Sequence, residues 1–400
     1  MFTTFTPPQT PALVIDLAAL DANLGTMQAL CDAAGVRLRA HGKTHKCTAL
    51  AWRQLRLGAV GLCAQTVGEA EAFIAGGVAD VLITAPAPAW AAPRIAALTG
   101  RGATIGVVAD HADQIAWLDA AARAAAKDGG GVIDLVVDLD PGTHRTGAHP
   151  DQVVALAKQA AATEGLRFAG IQAYAGHIQH IGSAADRKAA YDAVIARARG
   201  VRDALVAAGL PPPVVTGGGT GTHAFDLKSG VFTELQAGSY AVMDAEYEAC
   251  DAPDTLDGGE GWRFRQAMFL ASTVVSANHK SHVTVDAGFK ALSSDGPPAR
   301  VAWGAAAGAL WRPMGDEHGM ILHPEAIPLL KGGDFVTAVE TLDADEAQPW
   351  RNDAPRLGDT VWLQPGHCDP TINLHDALIV VAEDGSWERW AVDARRVTPV

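Results

Sequence analysis

Between residues 36 and 237 the chain repeats one pattern: a short apolar strand, a turn bearing Gly or Thr, then an Ala-rich helical stretch. The strands read as 36–40, 60–64, 80–84, 104–109, 133–139, 168–174, 214–216 and 234–237. Continuous apolar strands alternating with helices imply parallel strands covered on both faces. Eight such units in roughly 220 residues fit a (β/α)8 TIM barrel, whose usual size is about 250. A doubly wound open sheet is the rival architecture; the count of eight favours the barrel. The helices support the pattern. One runs from about residue 18 to 34 and is closed by Gly35, and Ser183 with Asp186 opens another that ends at Gly209 and three prolines.

After Cys250 the pattern changes. The Gly- and Asp-rich stretch D-A-P-D-T-L-D-G-G-E-G reads as a linker. Beyond it lie β-rich runs, F-L-A-S-T-V-V-S-A, H-V-T-V-D-A-G, D-T-V-W-L-Q-P-G and A-L-I-V-V-A, and Asp384-Gly385 marks a hairpin turn before S-W-E-R-W-A-V. The strand A-L-V-I-D-L precedes the barrel and is expected to pair into this second region. The expected division is a barrel over 18–250 and a mostly-β domain of 1–17 with 251–400.

Composition removes several classes of function. Apolar residues make up 48% and charged residues 19%, as in a soluble globular protein, and no apolar run reaches the roughly 18–20 residues of a membrane span. The N-terminus shows no signal-peptide pattern. A net charge of −14 without a basic cluster argues against nucleic acid and anionic membranes. Five scattered cysteines without a C-x-x-C pair suit a reducing compartment, so a cytoplasmic protein is expected.

In such a barrel, functional groups gather at the C-terminal ends of the strands, with phosphate gripped after strands seven and eight. Strand one runs into A-H-G-K-T-H-K, leaving Lys43 where the strand ends and a helix from about Thr44 begins. The ordinary reading is a solvated surface lysine. The other strand ends also carry polar groups: Gln65 after the second, Asp140 and Arg145 after the fifth, and Gln172, Tyr174, His177 and His180 along the sixth. Strand seven leads into T-G-G-G-T-G, with Thr220, and strand eight into Q-A-G-S-Y, with Gly238, Ser239 and Tyr240. Glycine turns in these two loops let backbone amides approach an anion. A lysine facing a phosphate-gripping pair of loops suggests pyridoxal 5'-phosphate, whose aldehyde condenses with a lysine amine. A sugar-phosphate aldolase also uses a barrel lysine, but from a middle strand.

The β-rich region holds P-G-H-C-D-P-T. His367 and Asp369 are two apart, so in extended chain both leave one face and suit one divalent cation, Mn2+, Mg2+, Co2+ or Zn2+, with Cys368 pointing away. D-E-H-G at Asp316 to Gly319 is another polar cluster, with no spacing that ties it to a metal.

Taken together, T-P-A-L-V-I-D-L, H-G-K-T-H-K, Q-T-V-G-E-A-E, G-I-Q-A-Y, G-G-G-T-G, T-E-L-Q-A-G-S-Y-A-V-M-D and P-G-H-C-D-P-T resemble the fold-type III pyridoxal-phosphate enzymes. Within them the chain is most similar to the D-threonine aldolase and 3-hydroxy-D-aspartate aldolase group, related to the D-serine dehydratases. The resemblance implies that Lys43 carries the cofactor, that Gln65, Tyr174, Thr220, Gly238 and Ser239 help to bind it, and that Arg145 lies near its ring. It further implies His367 and Asp369 as metal ligands, His180 as the acid/base, and a head-to-tail homodimer in which the β domain of one subunit completes the other's site. The implied reaction is cleavage of a D-3-hydroxy amino acid to glycine and an aldehyde. Dehydratases of the family carry H-x-C; the H-x-D here is the aldolase pattern. The alternatives are a D-serine or D-3-hydroxyaspartate dehydratase, further off an amino-acid racemase, and a non-catalytic pyridoxal-phosphate carrier, which would be a lone barrel and is disfavoured by the long β-rich region. Ala175, His177 and the Pro141–His144 loop depart from the family pattern and leave the substrate side chain open.

Overall fold

The computed structural model describes residues 5–330, 334–347 and 352–395. Strand β1 (Ala12–Asp16) is followed by the 18-residue helix Leu17–Ala34. The expected eight strands then form: β2 (Arg37–His41), β3 (Gly61–Ala64), β4 (Asp80–Ile83), β5 (Thr104–Ala109), β6 (Ile133–Asp138), β7 (Leu166–Ala173), β8 (Val214–Gly217) and β9 (Glu234–Leu235). Each pairs in parallel with the next, and β9 returns to β2 through Arg37↔Glu234 and Leu38↔Leu235, closing a barrel. The doubly wound alternative is thereby excluded. Ser183 caps its helix as expected, its side chain accepting the Asp186 amide, and that helix runs 24 residues to Ala207.

Strand β2 shows why its sequence alternates. Leu38 and Ala40 are buried on one face, while Arg39 and His41 share the other, two residues apart. Arg39 is held by Glu234 Oε1 at 3.0 Å and Asp80 Oδ1 at 2.6 Å. Burial opposes its charge, but Glu234 and Asp80 outweigh burial and raise its pKa above the ordinary range. Arg39 and His41 are therefore a polar filling of the barrel, whereas Arg37 at the start of the strand is solvated.

The helix expected from about Thr44 begins at Thr48. Residues 42–45 form a turn, His45 Nδ1 accepts the Cys47 amide at 3.1 Å, and Asp393 Oδ1 accepts the Thr48 amide at 2.9 Å. The helix start is thus set by an acceptor 345 positions away, which local sequence does not reveal. The linker-like stretch is also ordered: Pro253–Asp257 forms a 3-10 turn, and Asp254 receives Arg263 Nε at 2.7 Å.

The remaining strands are β10 (Met268–Ser276), β11 (His282–Val285), β12 (Arg300–Trp303), β13 (Leu310–Pro313), β14 (Gly319–Leu322), β15 (Thr360–Gln364), β16 (Ala377–Val381) and β17 (Trp387–Ala391). With β1 they make one sheet in the order β11-β14-β13-β12-β15-β10-β1-β16-β17. Strand β1 lies antiparallel to β10 and parallel to β16. Val14, Phe269, Ala271, Trp362 and Val381 form its core, and Trp303 stacks on Trp362 at 5.1 Å. Gly385 takes φ +83° in the turn joining β16 to β17, the left-handed conformation a D-G hairpin turn needs.

Two compact units follow from the packing of the described residues: 23–240 with 249–264 and 392–395, and 5–22 with 241–248 and 265–391. All five cysteines are buried, and none is in a disulfide. Among the described residues no helix is long and apolar enough to cross a membrane.

Candidate active site

In the barrel unit, Lys43, Gln65, Arg145 and Tyr174 line one cavity of about 280 Å3, together with His41, Thr84, Gln172 and Gln236. Lys43 stands in the turn after β2, and its amide donates to His41 Nδ1 at 3.4 Å. Gly42 is required there by space: a Cβ would lie 2.6 Å from the Phe73 ring. Gln65 follows β3, and its amide is fixed by Glu69 Oε2 at 2.6 Å. The Arg145 guanidinium lies 5.7 Å from the centre of the Tyr174 ring, close enough for a cation–π contact.

The cavity floor is a polar network. Thr84 Oγ1 lies 3.0 Å from His41 Nε2 and 3.3 Å from Gln65 Oε1. Gln172 Nε2 donates to the Thr84 carbonyl and to Asp138 Oδ1, while Gln236 Nε2 donates to Gln172 Oε1. Burial pushes the Asp138 carboxyl up to about 6, against the bonds from Gln172 and Thr146. His41, Thr84, Gln236 and Asp138 were missed from sequence. Only His41 carried a local signal, being the last residue of β2 and two before Lys43.

The glycine loops lie together and are more heavily engaged than their composition suggests. The Tyr240 amide donates to Thr220 Oγ1 at 3.0 Å, tying the loop after β8 to the loop after β9. The amides of Gly219 and Gly221, expected to face an anion, donate to Asp226 Oδ2 and Gln179 Oε1. Asp226 is 1% exposed, and burial raises its pKa to about 7. These two glycines are therefore spent on bracing the loop. Gly238 approaches the Lys43 turn closely, for a Cβ there would overlap Thr44 Oγ1 and stand 3.0 Å from the His41 carbonyl. Ser239 is 8% exposed at the start of the 3-10 turn Ser239–Ala241. Thr44 Oγ1 and Thr216 Oγ1 are buried hydroxyls with no hydrogen-bond partner among the described residues. The unsatisfied Thr44 hydroxyl beside Gly238, in the turn that carries Lys43, fits a phosphorylated aldehyde cofactor.

His180 lies in the turn after the 3-10 segment Gly176–Ile178, and its carbonyl accepts Cys250 Sγ at 3.5 Å. It is not among the residues lining the cavity. His177, in that 3-10 segment, is exposed, with Nδ1 3.0 Å from Thr143 Oγ1. Burial lowers its pKa, with Asp140 acting the other way.

In the second unit, His367 and Asp369 do not lie in extended chain as their spacing suggested. His367 is the N-cap of the short helix Cys368–Ile372, and Asp369 falls in its first turn. The helix start is pinned by Asp244, whose Oδ2 accepts the Cys368 amide at 2.9 Å. Cys368 is fully buried, with Sγ 3.3 Å from Asp369 Oδ1. His367 Nδ1 lies 2.9 Å from Asp295 Oδ2 and 4.0 Å from Glu246 Oε2. An imidazole and a carboxylate two residues apart in a field of further carboxylates is a donor set suited to a divalent cation. Among the described residues no group of three His, Cys, Asp or Glu is placed to hold a metal ion. Asp316 to His318 lie in the hairpin connection between β13 and β14 and Gly319 opens β14, with Glu317 bound to Lys290 at 2.7 Å.

Comparison with known proteins agrees with this architecture. Residues 15–246 match the alanine racemase N-terminal domain and 267–381 a serine dehydratase domain. The chain is 38% identical over 392 residues to the 3-hydroxy-D-aspartate aldolase of Paracoccus denitrificans, covering 97% of this chain and 92% of that protein. The crystal structure of D-threonine aldolase from Filomicrobium marinum superposes with a TM-score of 0.84 at 36% identity, covering 97% of this chain and 96% of that one. The D-threo-3-hydroxyaspartate dehydratase of Delftia is more distant, 32% identical over 304 residues, which cover 73% of this chain and 74% of that protein.

Proposed function

Because the chain belongs to the family of the D-threonine and 3-hydroxy-D-aspartate aldolases, built on the alanine racemase-type barrel, we propose that it is a pyridoxal-phosphate- and divalent-metal-dependent lyase. Its substrate is a D-3-hydroxy amino acid of the D-threonine or 3-hydroxy-D-aspartate type, and its products are glycine and an aldehyde. The observation that carries this reading is the convergence of Lys43, Gln65, Arg145 and Tyr174 on one cavity beside the Gly238 cradle.

Lys43 would hold the cofactor's aldehyde carbon, with Thr220, Gly238 and Ser239 at its phosphate end and Gln65, Arg145 and Tyr174 about its ring. When bound, the cofactor supplies an electron sink for the pair left on Cα as the Cα–Cβ bond breaks. His180 takes the proton from the substrate β-hydroxyl oxygen. Loss of that proton lets the oxygen form the carbonyl of the departing aldehyde, and a proton returned to Cα completes glycine. His367 and Asp369 would hold the divalent cation, of the Mn2+, Mg2+ or Co2+ kind, whose contribution is Lewis acidity toward a hydroxyl oxygen. The working assembly in this reading is a homodimer.

The test is product analysis. Cofactor-loaded protein is given D-threonine and 3-hydroxy-D-aspartate with and without Mn2+. Glycine and the matching aldehyde, formed only with metal, support the reading. Ammonia and a keto acid would instead make the chain a dehydratase.

A further inference from the structure

The geometry points to Asp295 as a positioning residue that orients His367 for metal binding through Nε2. This inference rests on the metal reading above and adds a residue to it. His367 Nδ1 stands 2.9 Å from Asp295 Oδ2. An imidazole engaged at Nδ1 can ligate only through Nε2, and a carboxylate on its other nitrogen fixes the ring and raises its basicity.

The contact is built from several directions. Ser293 Oγ donates to Asp295 Oδ1, holding the carboxylate. The Ser293 amide donates to Thr371 Oγ1 at 3.2 Å, and that hydroxyl in turn donates to the His367 carbonyl at 2.7 Å. Thr371 is wholly buried, so the 293–295 turn is lashed to the same short helix that carries Asp369. Gly296 permits the approach, since a Cβ there would lie 3.2 Å from His367 Cβ. A chance surface ion pair needs none of these fastenings. Asp295 is itself half exposed and an exposed pair alone is worth little, so its worth here lies in holding the Nδ1 side of the imidazole that would ligate the metal.

The test measures Mn2+ binding by electron paramagnetic resonance of the free ion, on cofactor-loaded wild-type, Asp295→Ala, Asp295→Asn and His367→Ala proteins. Cofactor absorbance and thermal melting are read alongside. His367→Ala should lose saturable binding. Asp295→Ala should bind Mn2+ about 10–100-fold more weakly. Asp295→Asn, which keeps an acceptor but no charge, should recover part of that loss. Cofactor absorbance should be unchanged in all. If both Asp295 variants bind Mn2+ with the wild-type dissociation constant while His367→Ala does not bind, the role of Asp295 is overturned and the metal pair stands. If Asp295→Ala fails to fold, Asp295→Asn alone decides, and wild-type affinity in it overturns the inference. No saturable binding by wild-type protein removes the metal reading, and this inference with it.

Discussion

Lys46 Nζ lies 3.3 Å from Glu69 Oε1, and the other oxygen of the same carboxylate accepts the Gln65 amide at 2.6 Å. One buried carboxylate thus ties the turn that carries Lys43 to the loop that carries Gln65. Glu69 is 3% exposed in this pair and Lys46 15%. Removing one partner of a buried pair strands the other charge, at a cost of about 3–5 kcal/mol. Glu69→Ala should therefore lower the unfolding free energy by about 3 kcal/mol or more in urea denaturation, and Glu69→Gln by less, because it keeps an acceptor for Gln65. Equal stability of Glu69→Ala and wild type would show that the tie carries no load.

Lys43→Ala should remove the near-visible absorbance of bound cofactor and abolish turnover. The Lys43 side chain is only partly buried and lines an open cavity, so the cofactor-free variant should unfold within about 0.5 kcal/mol of cofactor-free wild type. Persistence of the absorbance would move the cofactor to another amine.

The barrel was legible because its strands are short, apolar and evenly spaced, and β5 falls on the residues its pattern predicted. Boundaries slipped where distant groups decide them. The helix after Lys43 starts at Thr48 under the carboxylate of Asp393, and no reading of residues 44–48 could contain that information. The same holds for the site. Lys43, Gln65, Arg145 and Tyr174 could be named because they follow strand ends. Thr84 and Gln236 look like ordinary polar residues until the closed barrel points them at one cavity, and Asp138 until the barrel sets it behind Gln172. Glycine composition misled in part, since Gly219 and Gly221 donate to Asp226 and Gln179. Spacing misled at H-x-D, where a cap and a helical turn replace the extended chain.

His180→Ala tests the proton carrier. Positioned acid/base groups contribute about 10²–10⁴-fold, and kcat for glycine formation should fall by that factor with cofactor absorbance unchanged. His180 lies outside the lining of the Lys43 cavity, so wild-type kcat in this variant is the outcome that would reassign the role. His177→Ala, measured in parallel, then becomes the next candidate to read.

Chelation should stop cleavage and leave the cofactor absorbance intact, because the proposed metal and cofactor groups are separate sets of residues. Loss of a Lewis acid is worth several kcal/mol, so activity should drop by about 10²-fold or more and return on adding Mn2+. Asp369→Asn should reproduce the chelated state without chelator. Full activity in metal-free protein would remove the cation from the chemistry.

Asp138 supplies a pH dependence whose sign follows from burial. Its carboxyl is raised from 3.8 to about 6, mainly because the charged form is desolvated, with Asp110 adding to the rise and Gln172, Thr146 and Arg145 opposing it. Between these two values the folded chain keeps a proton that the unfolded chain has lost. The stability this contributes is fully present below pH 3.8 and is lost as pH rises through about 6. A rise of that size corresponds to ~3 kcal/mol. The unfolding free energy of wild type relative to Asp138→Asn should therefore decline from pH 4 to pH 6.5 and then level off, in urea titrations run at each pH. The comparison with Asp138→Asn cancels the other titrating groups, His282 among them, whose burial acts in the opposite sense. A flat difference across that range would mean that the carboxylate is ionised throughout. Gln172 Nε2 would then be donating to a full charge, and the floor beneath Lys43 would be electrostatically tighter than burial alone implies.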